Sequence, residues 1–162
     1  MFATHTRQQN AFKALDGQVL KIKALKLRDA DPQEVPVELT TSGFWEQISE
    51  DLGQGIMHAR TSYLTDDEAA IACHWEEGAM LHPHRHPEVD EYIYVIRGSL
   101  RDLYTNTRLV PGEQISIEDV LNGDVHEQPY HIPAGTAHFL QALEPDTFFV
   151  IKFKRNDNHD YS

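Results

Sequence analysis

Apolar and polar residues alternate along this chain in short runs, mostly with the period of two that puts successive side chains on opposite faces of a strand. Met57–Leu64 and Ala69–Trp75 carry that rhythm on either side of Thr65-Asp-Asp-Glu68, which predicts a hairpin. Tyr92–Ile96 and Thr147–Lys154 are denser in Val, Ile and aromatic residues and predict two further strands. Nearer the N-terminus, Val19–Ala24 alternates as a half-buried strand would. Val35, Val37 and Leu39 repeat the period, with Pro32 and Pro36 placing that strand at a sheet edge. One stretch breaks the pattern. Phe44, Ile48 and Leu52 recur at i, i+4 and i+8, Ser42 or Gly43 stands where a cap belongs, and Gly53 stands where a helix stops, so the spacing predicts a helix. Turn residues recur about every ten positions, at Glu76–Gly78, Gly98-Ser99, Thr105–Thr107, Pro111-Gly112, Asn122-Gly123, Pro133–Gly135 and Glu144–Asp146. Short strands, regular turns and one helix predict an all-β fold, an antiparallel sandwich or barrel. Residues 1–18 read as a polar N-terminal arm, 19–154 as a single β domain and 155–162 as a polar tail.

Length and composition narrow the partners. At 162 residues the chain suits one domain. Its formal net charge of −12 repels phosphate backbones and anionic lipid surfaces, which predicts no nucleic-acid and no membrane partner. No apolar run approaches the roughly 18 residues of a membrane span. The first ten residues lack the apolar stretch of a signal peptide, so a cytoplasmic location is expected. A lone cysteine, Cys73, excludes an intramolecular disulfide and a Cys-rich zinc site. Ten histidines, in contrast, are many for this length.

The histidines concentrate where the chemistry is. In Gly78-Ala-Met-Leu-His82-Pro-His84-Arg-His86-Pro-Glu88-Val-Asp-Glu91, residues two apart on a strand share a face, so His84 and His86 can aim two imidazoles at one point. Should the connection after His86 be a tight turn, the Glu91 carboxylate faces the same point from the next strand. Two neutral imidazoles and a carboxylate suit a first-row transition metal. Pro133-Ala-Gly135-Thr-Ala-His138 supplies a further ligand candidate after a Pro-x-Gly turn, although spacing alone does not place it beside the others. His82 and His131 are candidates for positions around such a centre, His82 by strand parity with His84 and His131 by its place before the Pro133 turn.

These residues resemble the cupins. The first cupin motif, Gly-x5-His-x-His-x4-Glu-x6-Gly, is met by Gly78, His84, His86, Glu91 and Gly98, and the end of the second, Pro-x-Gly-x2-His, by Pro133, Gly135 and His138. The second motif departs from the family at Glu127, where a glycine is usual, and at Ala142, where an asparagine is usual. The resemblance implies a small jelly-roll barrel holding one divalent metal on His84, His86, Glu91 and His138. Iron is the first expectation, with manganese, nickel and zinc as alternatives. It also implies a metal-dependent enzyme acting on a small molecule, foremost a non-haem iron dioxygenase. The alternatives are a metal-dependent isomerase or decarboxylase, or a small-molecule-binding cupin without catalysis.

Strand parity adds two expectations. Ile93, Val95, Leu140, Phe149 and Ile151 would line the interior. Tyr92, Tyr94 and Ile96 would then form an outer apolar face covered by the N-terminal segment or by a second subunit, which points to a homodimer.

Overall fold

A computed structural model of the chain describes Ala24 and residues 26–37 and 44–156. Its longest strands are those with the strongest alternation. Strands β4 (Met57–Thr65) and β5 (Glu68–Trp75) form the predicted hairpin about Asp66 and Asp67. Strand β8 (Val89–Arg97) buries Val89, Glu91, Ile93 and Val95 and leaves the residues between them half-buried, the signature of a strand with one face on the core. Strand β13 (Thr147–Arg155) lies between β5 and β8, antiparallel to both. With β2 (Glu46–Gln47) and β11 (Tyr130–Ile132) these make a six-stranded sheet in the order β11-β8-β13-β5-β4-β2.

A five-stranded sheet faces it. It is built from β3 (Gly53–Gln54), β6 (Met80–Leu81), β9 (Leu100–Asp102), β10 (Thr107–Leu109) and β12 (Leu140–Ala142), in the order β10-β9-β12-β6-β3. Leu100, Leu140 and Ala142 from this sheet meet Trp75, Val95, Phe149 and Ile151 from the other in the main core. A third, parallel pair joins β1 (Gln33–Glu34) to β7 (His84–Arg85) and lays the N-terminal segment across one end of the sandwich. The architecture is mostly β, as expected, but the two sheets are not hydrogen-bonded into a closed barrel. Gly98 turns the chain out of β8 at φ +81°, and a side chain there would collide with Thr147 Oγ1. Glycine is required at that position on both counts.

Several expectations need correction. Residues 44–53 are not a helix. Glu46 and Gln47 pair with Ala59 and His58, Ile48 donates its N–H to Met57 O, and Gly53 pairs with Leu81. The backbone groups that a helix would satisfy internally are taken by the sheets, and Phe44 and Leu52 stand exposed. A helix does form further on, α1 (Ile117–Asn122), and it follows a capping box. The Asp119 N–H donates to Ser116 Oγ, the Ser116 N–H donates to the Asp119 carboxylate, and left-handed Gly123 ends the helix. The turn expected at Asn122-Gly123 is thus the end of a helix. Val35 and Val37 follow β1 without joining it, while Leu39 lies outside the described residues. Of the strand expected at Val19–Ala24, only Ala24 is described. It lies in a helical turn, its carbonyl accepting from the Arg28 N–H at 3.0 Å. The proposed arm, residues 1–18, lies outside the described residues, as does the tail beyond 156, and Arg155 belongs to β13.

The outer face of the six-stranded sheet is also covered differently. Tyr94 and Ile96 pack with Ala70, Ala72, Val150 and the almost fully buried Val120 of α1, so residues 115–125 close that face from within the chain. Tyr92 instead stacks on His131 at 4.7 Å. This face therefore gives no reason for a second subunit.

Candidate metal centre

Backbone pairing brings the two histidine motifs together. His84 and His138 form an antiparallel bridge, the His84 N–H donating to His138 O at 3.2 Å and the His138 N–H returning to His84 O at 2.9 Å. The Gly135 N–H then donates to His86 O at 2.9 Å, docking the Pro133–Gly135 turn on the first motif. Glu91 arrives on the inward face of β8, opposite Ile132 of β11 and Phe153 of β13. His86 lies just past the end of β7 and packs edge-on against Phe153. The expected common strand for His84 and His86 is thus only two residues long, yet both rings still reach one point.

The geometry is that of a converging donor set. One ring nitrogen from each of His84, His86 and His138 lies within 4.8 Å of the other two. Glu91 joins from one side, with Oε2 3.1 Å from His138 Nε2 and Oε1 3.9 Å from His86 Nε2. The Nδ1 atoms turn outward to carbonyl oxygens: His84 to His82 O at 2.6 Å, His86 to Val35 O at 2.6 Å, and His138 to Thr136 O at 3.4 Å. A carbonyl can only accept, so Nδ1 carries the proton and each Nε2 lone pair is left facing the centre. Fixing the tautomer through the outer nitrogen is how metal-ligating histidines are oriented.

Burial sets the charges. It pulls His84 down to about 4 and, with the neighbouring imidazoles adding, His138 down to about 2; His86 is lowered by the same cause. Burial pushes the Glu91 carboxyl up to about 8, with the Asp102 carboxylate contributing. Without a cation all four groups are held uncharged, because a buried charge without a partner is expensive. Three neutral imidazole nitrogens and one ionisable carboxyl fit a divalent first-row transition metal, which supplies the charge that lets Glu91 ionise.

The centre opens on a cavity of about 290 Å³ between the sheets. Trp75 and Cys73 of β5, Leu140 of β12 and Ile151 of β13 form apolar wall, and the strap Val35–Val37 closes one side. Burial raises the Cys73 thiol, which stays protonated and packs as a small hydrophobe. Of the residues expected inside, Leu140 and Ile151 line this cavity, while Ile93, Val95 and Phe149 sit in the core. His82 lines the cavity and holds His84 through its carbonyl. His131 is exposed on the outer face, 3.8 Å from Asp90, and takes no part.

Two features escaped the sequence reading. The Val35 carbonyl, 51 residues from His86, has no signature because any residue supplies a carbonyl. Near the surface, His74, Glu76 and Asp146 form a second cluster, with His74 Nε2 2.9 Å from Asp146 and its ring stacked on Phe148 at 4.1 Å. The hydrogen bond from His74 lowers the Asp146 carboxyl, and the cluster reads as a surface ion pair tying β5 to the turn before β13.

The family model described as Cupin matches residues 67–162. No curated protein matches the chain. Among solved structures, KdgF from Halomonas sp. is similar over 71% of this chain and 89% of its own, at 24% identity and a TM-score of 0.52. A predicted oxalate decarboxylase from Thermotoga maritima covers 74% of this chain and 100% of its own, at 14% identity and a TM-score of 0.54. An acetylacetone dioxygenase from Acinetobacter johnsonii covers 82% and 85%, at 10% identity and a TM-score of 0.50. At these identities the likeness is one of fold. Among the described residues no helix is long and apolar enough to cross a membrane.

Proposed function

Because the chain belongs to the cupin family, we propose that it is a metal-dependent enzyme acting on a small molecule at the centre formed by His84, His86, Glu91 and His138. The observation that carries this reading is the convergence of three Nε2 atoms and a buried carboxyl on the wall of a largely apolar cavity. Bound there, the metal supplies Lewis acidity and, as iron, the electrons for reaction with dioxygen.

The chain's own residues do the rest. Carbonyls of Val35, His82 and Thr136 hold the imidazoles in the ligating tautomer. Burial raises the Glu91 carboxyl, and a cation entering beside it would release the proton that Glu91 and His138 share. Ile151, Phe153 and Leu140 keep water from the reacting atoms.

Within this reading we favour dioxygenation at Fe(II), since the four side chains would claim four coordination positions and would leave two more on a six-coordinate metal. A second reading, isomerase or decarboxylase, is favoured by Asp51 and His82, which line the cavity and offer groups able to move a proton. Oxygen uptake with iron-loaded protein separates the two. The dioxygenase consumes O2 in step with substrate and loses activity when zinc replaces iron. Turnover that continues without oxygen supports the second reading.

A further inference from the structure

The cavity wall is as informative for what it lacks as for what it holds. Its charged side chains are Asp51 and Glu91, both acidic, and among the described residues no Lys or Arg lines it. The remaining polar groups are few: Gln33, His82, the three ligating histidines, the Cys73 thiol and the Trp75 indole N–H, a buried donor without a partner among the described residues. At about 290 Å³ the space lies at the small end of ligand pockets, which run from about 300 to 1,000 Å³.

Charge counting then limits the occupant. A divalent cation on Glu91 and three neutral imidazoles leaves one positive charge. A ligand with one negative charge neutralises it. A second negative charge would sit against apolar wall with no basic partner and with Asp51 nearby. A polyhydroxylated ligand fails for a related reason, since each buried hydroxyl needs a hydrogen-bond partner and this wall offers few.

We propose that the cavity takes a small, largely apolar molecule that turns two oxygens toward the His84, His86, His138 and Glu91 centre and carries at most one negative charge, as a β-dicarbonyl does, and that it rejects dicarboxylates and sugar acids. The proposal rests on the metal reading above and adds the class of substrate to it.

Acetylacetone and malonate make a matched pair of probes. They share the spacing of two oxygens across three carbons and differ in that malonate carries an oxygen anion where acetylacetone carries each methyl group, giving two negative charges against the one of the acetylacetone enolate. Protein carrying one equivalent of zinc, verified by elemental analysis, is titrated with each by calorimetry, and zinc keeps dioxygen chemistry silent. Acetylacetone is expected to bind at least about tenfold more tightly. Gln33→Arg places a cation at the exposed mouth and should narrow that ratio by about threefold, by strengthening malonate binding. Equal or tighter binding of malonate overturns the proposal. So does binding of neither probe to zinc-loaded protein, or a ratio untouched by Gln33→Arg. A chain that takes up no zinc overturns the metal reading itself, and elemental analysis distinguishes that failure from the others.

Discussion

Raising the pH of the metal-free protein perturbs the centre without altering a residue, and the burial of its side chains fixes the sign of the response. Glu91 Oε2 and His138 Nε2 lie 3.1 Å apart. With Glu91 raised to about 8 and His138 lowered to about 2, the pair holds one proton between those limits, whichever of the two atoms carries it. Above about pH 7 the three histidines and Glu91 hold few protons in the unfolded chain. The folded state therefore binds the excess proton from about pH 7 to about 8, and stability falls as pH rises through that window. At about 1.4 kcal/mol per pH unit, with each group only partly titrated at the edges of the window, the loss is about 1 kcal/mol.

Below about pH 7 the sign reverses. His84 and His86, lowered by burial, stay uncharged in the fold while the unfolded chain protonates them, so stability falls as pH drops toward 4. Stability should thus peak near pH 7. Urea denaturation followed by tryptophan fluorescence at several pH values measures this. Saturating zinc, which takes the place of the shared proton, should remove the loss between about pH 7 and 8, as should Glu91→Gln, whose amide has no proton to lose. A metal-free wild type whose stability is flat or rising across that window refutes the reasoning, as does a Glu91→Gln variant with an unchanged slope.

Three other outcomes are expected. Gly98→Ala forces φ +81° on an L side chain and drives a methyl group into Thr147, so urea denaturation should show a loss of more than about 1 kcal/mol. Val35→Pro removes the N–H that donates to Arg85 O at 2.9 Å and shifts the carbonyl that orients His86, so competition against a chromophoric chelator should show metal affinity down by about tenfold with the fold intact by circular dichroism. Ser116→Ala breaks the capping box of α1, with an expected cost of about 1 kcal/mol by thermal denaturation and faster amide exchange in residues 117–122.

The long strands were legible because alternation and turn residues agree there. Met57–Thr65, Glu68–Trp75, Val89–Arg97 and Thr147–Arg155 each extend an apolar rhythm visible in the sequence by only a few residues. The site's residue types were legible through the spacing His-x-His-x4-Glu, and their convergence here accords with it, whereas the nearness of His138 required the sheet pairing itself. What local pattern could not supply was competition from distant backbone. Phe44, Ile48 and Leu52 have helical spacing, but β2 and β3 gain partners in β4 and β6 that a helix would forfeit. In α1 the reverse holds. Six residues are too few to show a 3.6-residue period, and its evidence lay in the Ser116–Asp119 box and Gly123, which resemble turn residues when read alone. The cover over Tyr94 and Ile96 was missed for the same reason, since it is built on that helix.

The account stands on one centre built by four side chains from three separate stretches of chain. Metal content by elemental analysis, on protein purified without chelators and then equilibrated with excess zinc and desalted, tests it most directly when wild type is set beside the double variant His84→Ala, His86→Ala. The account predicts about one metal ion per wild-type chain and almost none in a double variant that remains folded by circular dichroism. A folded double variant that keeps its full metal content would contradict it.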